Sequence, residues 1–260
     1  MFKKKDVAEM EATKQSKKGT YLKRGLISLL AVTTVASSMF ALTSAFLSDK
    51  ETVTNTFITS GDVDLDFSEP SWKVEYGQLF APGDNHHKDP TIVENKGEAY
   101  LRVKMEITDA NGGALTGTEN VSVAQQVAKI KETLYYDTSY HMDNGSAVTD
   151  NLDTTLKYSS DSLSNLQTSG AIKALCNEKF TEAPVNETTS YFNYTVNGGV
   201  IGEGDTEILF SNVVIPSDWT KEDMQVLDPT GKGYQIKLTA EAVQKENMTN
   251  FEEAFANFAD

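Results

Sequence analysis

The sequence predicts a mainly β protein, an antiparallel β-sandwich with one or two short helices, preceded by an amino-terminal signal peptide. Apolar and polar side chains alternate in several short segments, a pattern typical of half-buried strands. Turns rich in Gly, Pro and Asp separate these segments. A basic leader and an uncharged apolar run precede all of them, which is the order found in exported proteins.

Residues 1–45 have the features of a secretory signal peptide. Residues 1–24 are polar and basic, and residues 25–45 carry no charged side chain. The run ends in the small residues Thr43, Ser44 and Ala45, so we expect cleavage after Ala45 or one residue earlier. A retained membrane anchor is the alternative, because 21 uncharged residues are long enough to cross a bilayer. The residues around the predicted cleavage site are Ser44, Ala45 and Phe46.

Residues 61–260 are predicted to form a single β-sandwich domain. In residues 61–67 aspartates alternate with Val63, Leu65 and Phe67, which indicates a strand with one buried face. Residues 99–108 and 234–242 repeat the pattern. Further strands are predicted at residues 72–79, 91–94, 190–196, 200–201 and 207–215, with a hairpin turn at Asn197-Gly198-Gly199.

Helices are the minority in this prediction. A helix is predicted over residues 122–135, because apolar residues there stand at helical spacing. These residues are Val123, Val127, Ile130 and Leu134. Near the carboxyl end, Thr249 and Glu252 predict a capping box ahead of a short helix that carries Phe255 and Phe258. Residues 141–170 are rich in Ser, Thr, Asn, Asp and Gly, so we expect a long surface excursion there.

The charge distribution argues against binding to nucleic acid. The chain has 38 acidic and 23 basic residues, a net charge of −15. Residues 1–45 hold eight of the basic residues and three of the acidic ones, so the remainder carries a net charge of −20. Such a surface repels phosphate backbones. Cys176 is the only cysteine, which excludes a disulfide scaffold and a Cys-rich zinc site.

No catalytic, cofactor-binding or metal site is predicted. His86 and His87 are predicted to lie in a turn, just after Pro82-Gly83-Asp84, and adjacent residues in an extended chain point apart, so the pair is a poor chelate. His141 lies in a polar segment. Alternate aspartates on one strand face could instead bind a calcium ion, although a solvated strand face explains these aspartates equally well. These aspartates are Asp62, Asp64 and Asp66.

Residues 46–60 are predicted to be a donor strand. The segment is rich in Thr and has strand propensity, and it begins at the amino terminus that cleavage would free. Adding such a strand to an exposed sheet edge of the next copy makes a head-to-tail contact that does not close, and the product is a filament. An ordinary first strand, paired within its own domain, is the alternative.

Five segments resemble the TasA and camelysin (CalY) family of secreted biofilm-matrix proteins, in particular its clostridial BsaA-like branch. They cover the signal and most of the strands, and leave residues 110–190 without a counterpart. The segments are TSAFLSDKETVTNTF, SGDVDLDF, FAPGD, VENKGEAYLRVKM and GYQIKLTAEAVQ.

The resemblance implies a jelly-roll subunit that a signal peptidase of the SipW type releases and that polymerises with itself by donor-strand exchange into extracellular fibres. It implies a cell-surface or matrix location, other matrix proteins as further partners, and no cofactor. Camelysin's classification as a zinc metallopeptidase keeps a secreted protease open as an alternative, and a non-polymerising adhesin is another. The implied donor residues are Phe46, Leu47, Val53, Phe57 and Ile58.

We predict that signal cleavage controls assembly, because the uncleaved leader tethers the donor segment at the membrane. An Ala45→Pro precursor should therefore form no fibres, whereas the wild-type chain should form them and show a new amino terminus near Phe46. Electron microscopy and amino-terminal sequencing of secreted material test this. Abundant normal fibres from uncleaved precursor would contradict it.

Overall fold

A computed structural model describes residues 56–57, 64–71, 80–246 and 248–256. Every described residue lies in one compact unit, Ser44–Asp260. This described part is mainly β with four short helices, which confirms the predicted class. The helices are α1 (Val123–Lys131), α2 (Ser160–Ser169), α3 (Lys221–Leu227) and α4 (Phe251–Phe255). The strands are β1 (Thr56–Phe57), β2 (Asp64–Ser68), β3 (Asn85–His87), β4 (Thr91–Lys96), β5 (Ala99–Asp109), β6 (Leu134–Asp137), β7 (His141–Asp143), β8 (Ser146–Val148), β9 (Ile172–Ala174), β10 (Phe180–Pro184), β11 (Thr189–Tyr194), β12 (Val200–Ile201), β13 (Thr206–Ile208), β14 (Asn212–Val214) and β15 (Tyr234–Gln244).

The first sheet is built on β5 and β15, the two strands with the clearest alternation. Its strand order is β1-β15-β5-β11-β10, and β12 pairs with β5 beyond the end of β11. Every pair is antiparallel except β1 with β15. The strands predicted at residues 99–108 and 234–242 are confirmed.

Most of the remaining strands form a second layer. Its two strand ladders keep the same pairing register. β4 pairs with β13 and β3 pairs with β14, with Val93 opposite Thr206 and Asn85 opposite Val214. Backbone hydrogen bonds link the two ladders, because Lys88 donates to Ser211 and Leu209 donates to Pro90. β2 extends this layer beside β4, and β6 and β9 extend it beside β14. The segment predicted as one strand at residues 207–215 is therefore two strands, β13 and β14, joined by a short irregular segment.

A single apolar cluster joins the inner faces of the two layers. In β5 the alternate side chains from Ala99 to Ile107 are at most 2% exposed, and Leu238 and Ala240 of β15 lie in the same cluster. The second layer contributes side chains that include Leu65, Phe67, Ile92, Leu134 and Val213. Burial of each large apolar side chain stabilises the fold by roughly 1.5–3 kcal/mol.

Helix α1 covers one end of this core and is shorter than predicted. Ser122 caps it in a capping box with Gln125, and Val127 and Ile130 are its buried apolar residues. The helix stops at Lys131, and Leu134, which fits the helical spacing, instead begins β6. Pairing of β6 with β14 and β9 overrides the local spacing.

The predicted hairpin at residues 197–199 is wrong. β11 and β12 do not pair with each other, because both pair with the same edge of β5. Asn197, Gly198 and Gly199 have φ angles of 50°, 74° and 94°, and they form a compact turn after which the chain rejoins β5. β11 pairs with residues 102–106 of β5 and β12 with Ala99 and Tyr100, so the two strands follow one another along β5.

Residues 141–170 contain structure of their own. They form the β7–β8 hairpin and helix α2, and they bring Leu152 and Leu163 against the outer face of the second layer. There Tyr135 and Val214 complete a second apolar cluster, in which Leu152 is fully buried. This segment therefore covers a sheet face.

We predict that Leu152→Ala lowers the free energy of unfolding by about 2–5 kcal/mol, because it leaves a cavity under a fully buried side chain. Leu156, which is 54% exposed in the same segment, is the matched control, and Leu156→Ala should change stability by less than about 0.5 kcal/mol. Urea unfolding measures both. Equal, small effects would contradict a packed role for this segment.

Candidate functional site

The outer edge of β15 is where the amino-terminal segment joins the first sheet. One side of β15 pairs with β5 over its whole length, from Tyr234 opposite Asp109 to Gln244 opposite Ala99. On the other side Thr56 and Phe57 pair in parallel with Glu241 and Ala242. The pairing residues come from the segment that the sequence predicts to be the donor strand.

Side-chain size changes along the inner face of β15. The inward residues run from Ile236 and Leu238 to the small side chains of Ala240 and Ala242, which lie where β1 joins. Small residues in this position contribute little volume to the core. Both alanines are nearly fully buried in the main core, at 1% and 2% exposed.

An ion pair lies on the outer face of the sheet beside this edge. Arg102 on β5 and Glu241 on β15 are directly opposite, and the Arg102 Nε donates to the Glu241 Oε2 at 2.5 Å. The Arg102 guanidinium also lies 3.7 Å from the ring centroid of Tyr191 and 4.3 Å from that of Phe255. Stacking on aromatic rings adds to the ion pair and holds β5, β11, β15 and α4 together.

Helix α4 begins one residue later than predicted. Asn250 is the amino-terminal cap, and its side-chain oxygen accepts a hydrogen bond from the Glu253 N–H at 2.8 Å. The Glu253 carboxylate in turn accepts from the Thr249 backbone N–H, so the predicted box of Thr249 with Glu252 is wrong. Phe255 is buried as expected.

A third apolar cluster lies under α4 at the same end of β15. It contains Tyr100, Val200, Val243, Ala254 and Phe255, with Phe251 packed against it. Gly199 is needed here, because a Cβ atom on it would lie 2.5 Å from the Phe251 ring. The amino-terminal strand β1 and the carboxyl-terminal helix α4 therefore meet on neighbouring residues of β15.

Most of the residues predicted to act in cleavage and strand donation lie outside the described part of the chain. The exception is Phe57, whose backbone forms part of β1. Asp62 also lies outside it, and Asp66 is exposed on β2. The other residues outside the description are Ser44, Ala45, Phe46, Leu47, Val53 and Ile58.

The histidines occupy different settings. His86 and His87 lie on strand β3, where the sequence predicts a turn, and His86 packs edge-on against Phe80. The Nδ1 of His87 is buried with no hydrogen-bond partner, and burial lowers the pKa of His87 although Asp89 and Asp137 oppose the shift. His141 is exposed on β7.

Burial also determines the chemistry of Cys176. The thiol is half-buried, and burial raises its pKa to about 12. At neutral pH the thiolate, which is the nucleophilic form, is therefore scarce. Within the described ranges no three His, Cys, Asp or Glu side chains form a group able to hold a metal ion.

Two features of the structure, one at this site and one in the second layer, escape sequence reasoning. The Arg102–Glu241 pair needs the register of β5 with β15, although both residues stand at outward positions of strongly alternating segments. Fully buried Asp137 accepts hydrogen bonds from the backbone N–H groups of Asn151 and Leu152, and so anchors the segment that covers the second layer. Its sequence neighbours give no signal of this.

No family model and no curated protein sequence matches the chain. In the described part, no helix has both the length and the apolar character needed to cross a membrane.

We predict that His87 makes the fold less stable in acid. Its pKa is below the ordinary value of 6.5, so the unfolded chain binds this proton more readily than the native chain does. The free energy of unfolding should fall as the pH drops through about 6.5, with the fall continuing until the native pKa is reached.

Urea unfolding between about pH 7.5 and pH 5 measures this effect. His87→Gln should flatten the pH dependence, and His141→Gln, at an exposed position, should leave it unchanged. An unaltered slope in His87→Gln would contradict the assignment.

Proposed function

We propose that the chain is a secreted structural subunit that polymerises by donor-strand exchange into extracellular biofilm-matrix fibres. The observation that carries the proposal is the parallel pairing of β1 with the outer edge of β15. It brings the segment expected to be a donor to a sheet edge within one chain. In a fibre, the same edge would accept the segment from a neighbouring copy.

Among the described residues, β1 pairs with two of the eleven residues of β15. A longer donor, drawn from residues 46–58, would add main-chain hydrogen bonds along the edge and bury apolar anchors. Each buried Val, Ile or Phe contributes roughly 1.5–3 kcal/mol, so several anchors at every junction would hold a stable polymer.

Head-to-tail geometry makes this contact a route to filaments. The donor and the acceptor are different surfaces of one chain, and a contact between unlike surfaces can repeat without closing. Pairing within one chain and pairing between chains use the same residues of β15. Export and cleavage would favour pairing between chains, since cleavage frees the amino terminus of each copy at high local density.

The TasA and camelysin resemblance supports this reading. Its segments VENKGEAYLRVKM and GYQIKLTAEAVQ correspond to β4, β5 and β15, which include the acceptor strand and its partner. SGDVDLDF runs into β2. We propose on this basis that the two-layered β structure is a jelly roll of that family, processed by a signal peptidase of the SipW type.

A cross-linking experiment with two single-cysteine chains tests the proposal. One chain carries Thr56→Cys and the other Glu241→Cys, each with Cys176→Ala. Strands in a sheet lie about 4.8 Å apart, within the reach of a disulfide. We expect that oxidation of mixed, cleaved chains yields a disulfide between positions 56 and 241 of different molecules, identified by mass spectrometry.

Glu187→Cys, at an exposed turn residue, replaces Glu241→Cys in the control mixture and should cross-link far less. The proposal fails if both mixtures cross-link equally. It also fails if positions 56 and 241 link only when both cysteines are on one chain, because β1 would then be an internal strand.

A further inference from the structure

Three Asn-Gly dipeptides occur in the chain, and they begin at Asn111, Asn144 and Asn197. In such a pair the backbone nitrogen of glycine can attack the asparagine side-chain amide, because glycine has no side chain to shield that nitrogen. The attack needs a glycine nitrogen that is free of hydrogen bonds and a backbone that can turn towards the side chain. The structure gives the three pairs different settings.

The Asn144–Gly145 pair forms the tip of the β7–β8 hairpin. Both residues are exposed, and their φ angles are 49° and 78°. The Gly145 backbone N–H donates no hydrogen bond to another described residue, and in the described sheets the hairpin pairs with no third strand. A two-stranded hairpin on its own is marginally stable, so local opening at this tip costs little free energy.

The dipeptide at Asn111 is also exposed, but hydrogen bonds hold it. The Gly112 backbone N–H donates to the Asp109 carbonyl oxygen at 3.0 Å. The Asp109 carboxylate accepts from the backbone N–H groups of Asn111 and Gly113, both at 2.8 Å. The nitrogen that would attack is therefore engaged, and the loop around it is fixed to the end of β5.

The dipeptide at Asn197 lies in the compact turn between β11 and β12, and this turn packs against α4. The Gly199 N–H donates to the Val196 carbonyl oxygen at 2.9 Å. A Cβ atom on Gly199 would lie 2.5 Å from the Phe251 ring, so the turn and the helix are in close contact. Reorientation of this turn would displace Phe251.

We propose that Asn144 is a site of spontaneous conversion to aspartate and isoaspartate, with water as the co-reactant. The Gly145 nitrogen attacks the Asn144 Cγ, so that a Cγ–N bond forms and the Cγ–Nδ2 bond breaks. Ammonia leaves with the proton that the Gly145 nitrogen loses, and a cyclic imide remains. Addition of water at Cγ opens the imide to aspartate, and addition at the main-chain carbonyl carbon opens it to isoaspartate.

The conversion changes both the charge and the geometry of the hairpin tip. In the unconverted chain the Asn144 Nδ2 donates to the Asp143 Oδ1 at 3.0 Å. The product has a carboxylate in place of this donor, so two negative charges repel each other at neighbouring residues. Isoaspartate also adds one atom to the main chain, which disturbs the pairing of Asp143 with Ser146.

Peptide mass spectrometry of the purified full chain, incubated at neutral pH, tests the assignment. We expect Asn144 to convert about fivefold faster than Asn111, the factor expected when one hydrogen bond must open before the attack. The chain in urea is the matched control, because both asparagines precede glycine and lose their folded setting there, so the two rates should converge. Asp109→Ala removes the acceptor of two backbone hydrogen bonds and should raise the rate at Asn111 towards that at Asn144.

The assignment is overturned if Asn111 or Asn197 converts as fast as Asn144 in the native chain. It is also overturned if the faster conversion of Asn144 persists in urea, because the neighbouring residues in sequence, and not the fold, would then set the rate. The comparison of native with urea-unfolded wild-type chain decides the question even if Asp109→Ala does not fold.

Discussion

The ladder between β5 and β15 is the contact on which the rest of the described structure depends. Eleven residue pairs join the two strands, and each face of the ladder has its own role. Inward residues such as Leu101 and Leu238 lie in the main core. Outward, Arg102 forms an ion pair with Glu241, and its guanidinium stacks on Tyr191 and Phe255. A register shift of one residue would exchange these two faces and dismantle both.

This ladder also explains why the two ends of the described chain lie together. β1 pairs with Glu241 and Ala242, and α4 packs over Val243, the next residue of the same strand. The acceptor strand of the proposed fibre is thus supported on one side by β5 and on its outer face by the carboxyl-terminal helix. A rigid acceptor reduces the ordering cost of adding a donor strand.

Sequence patterns predict the parts of the fold in which local and tertiary preferences agree. The alternation in β2, β5 and β15 suffices because one face of each strand lies in the main core. Leu134 and the turn at Asn197 are misread, because pairing partners distant in sequence decide their structure. The Arg102–Glu241 pair depends on the register of β5 with β15, which composition and spacing do not encode.

Cryo-electron microscopy of the assembled secreted material tests the central claim most directly. The account predicts fibres in which residues 46–58 of one subunit lie along β15 of the next subunit, beside Glu241 and Ala242. Isolated monomers in which this segment pairs with β15 of its own chain, or fibres joined through a different surface, would contradict it.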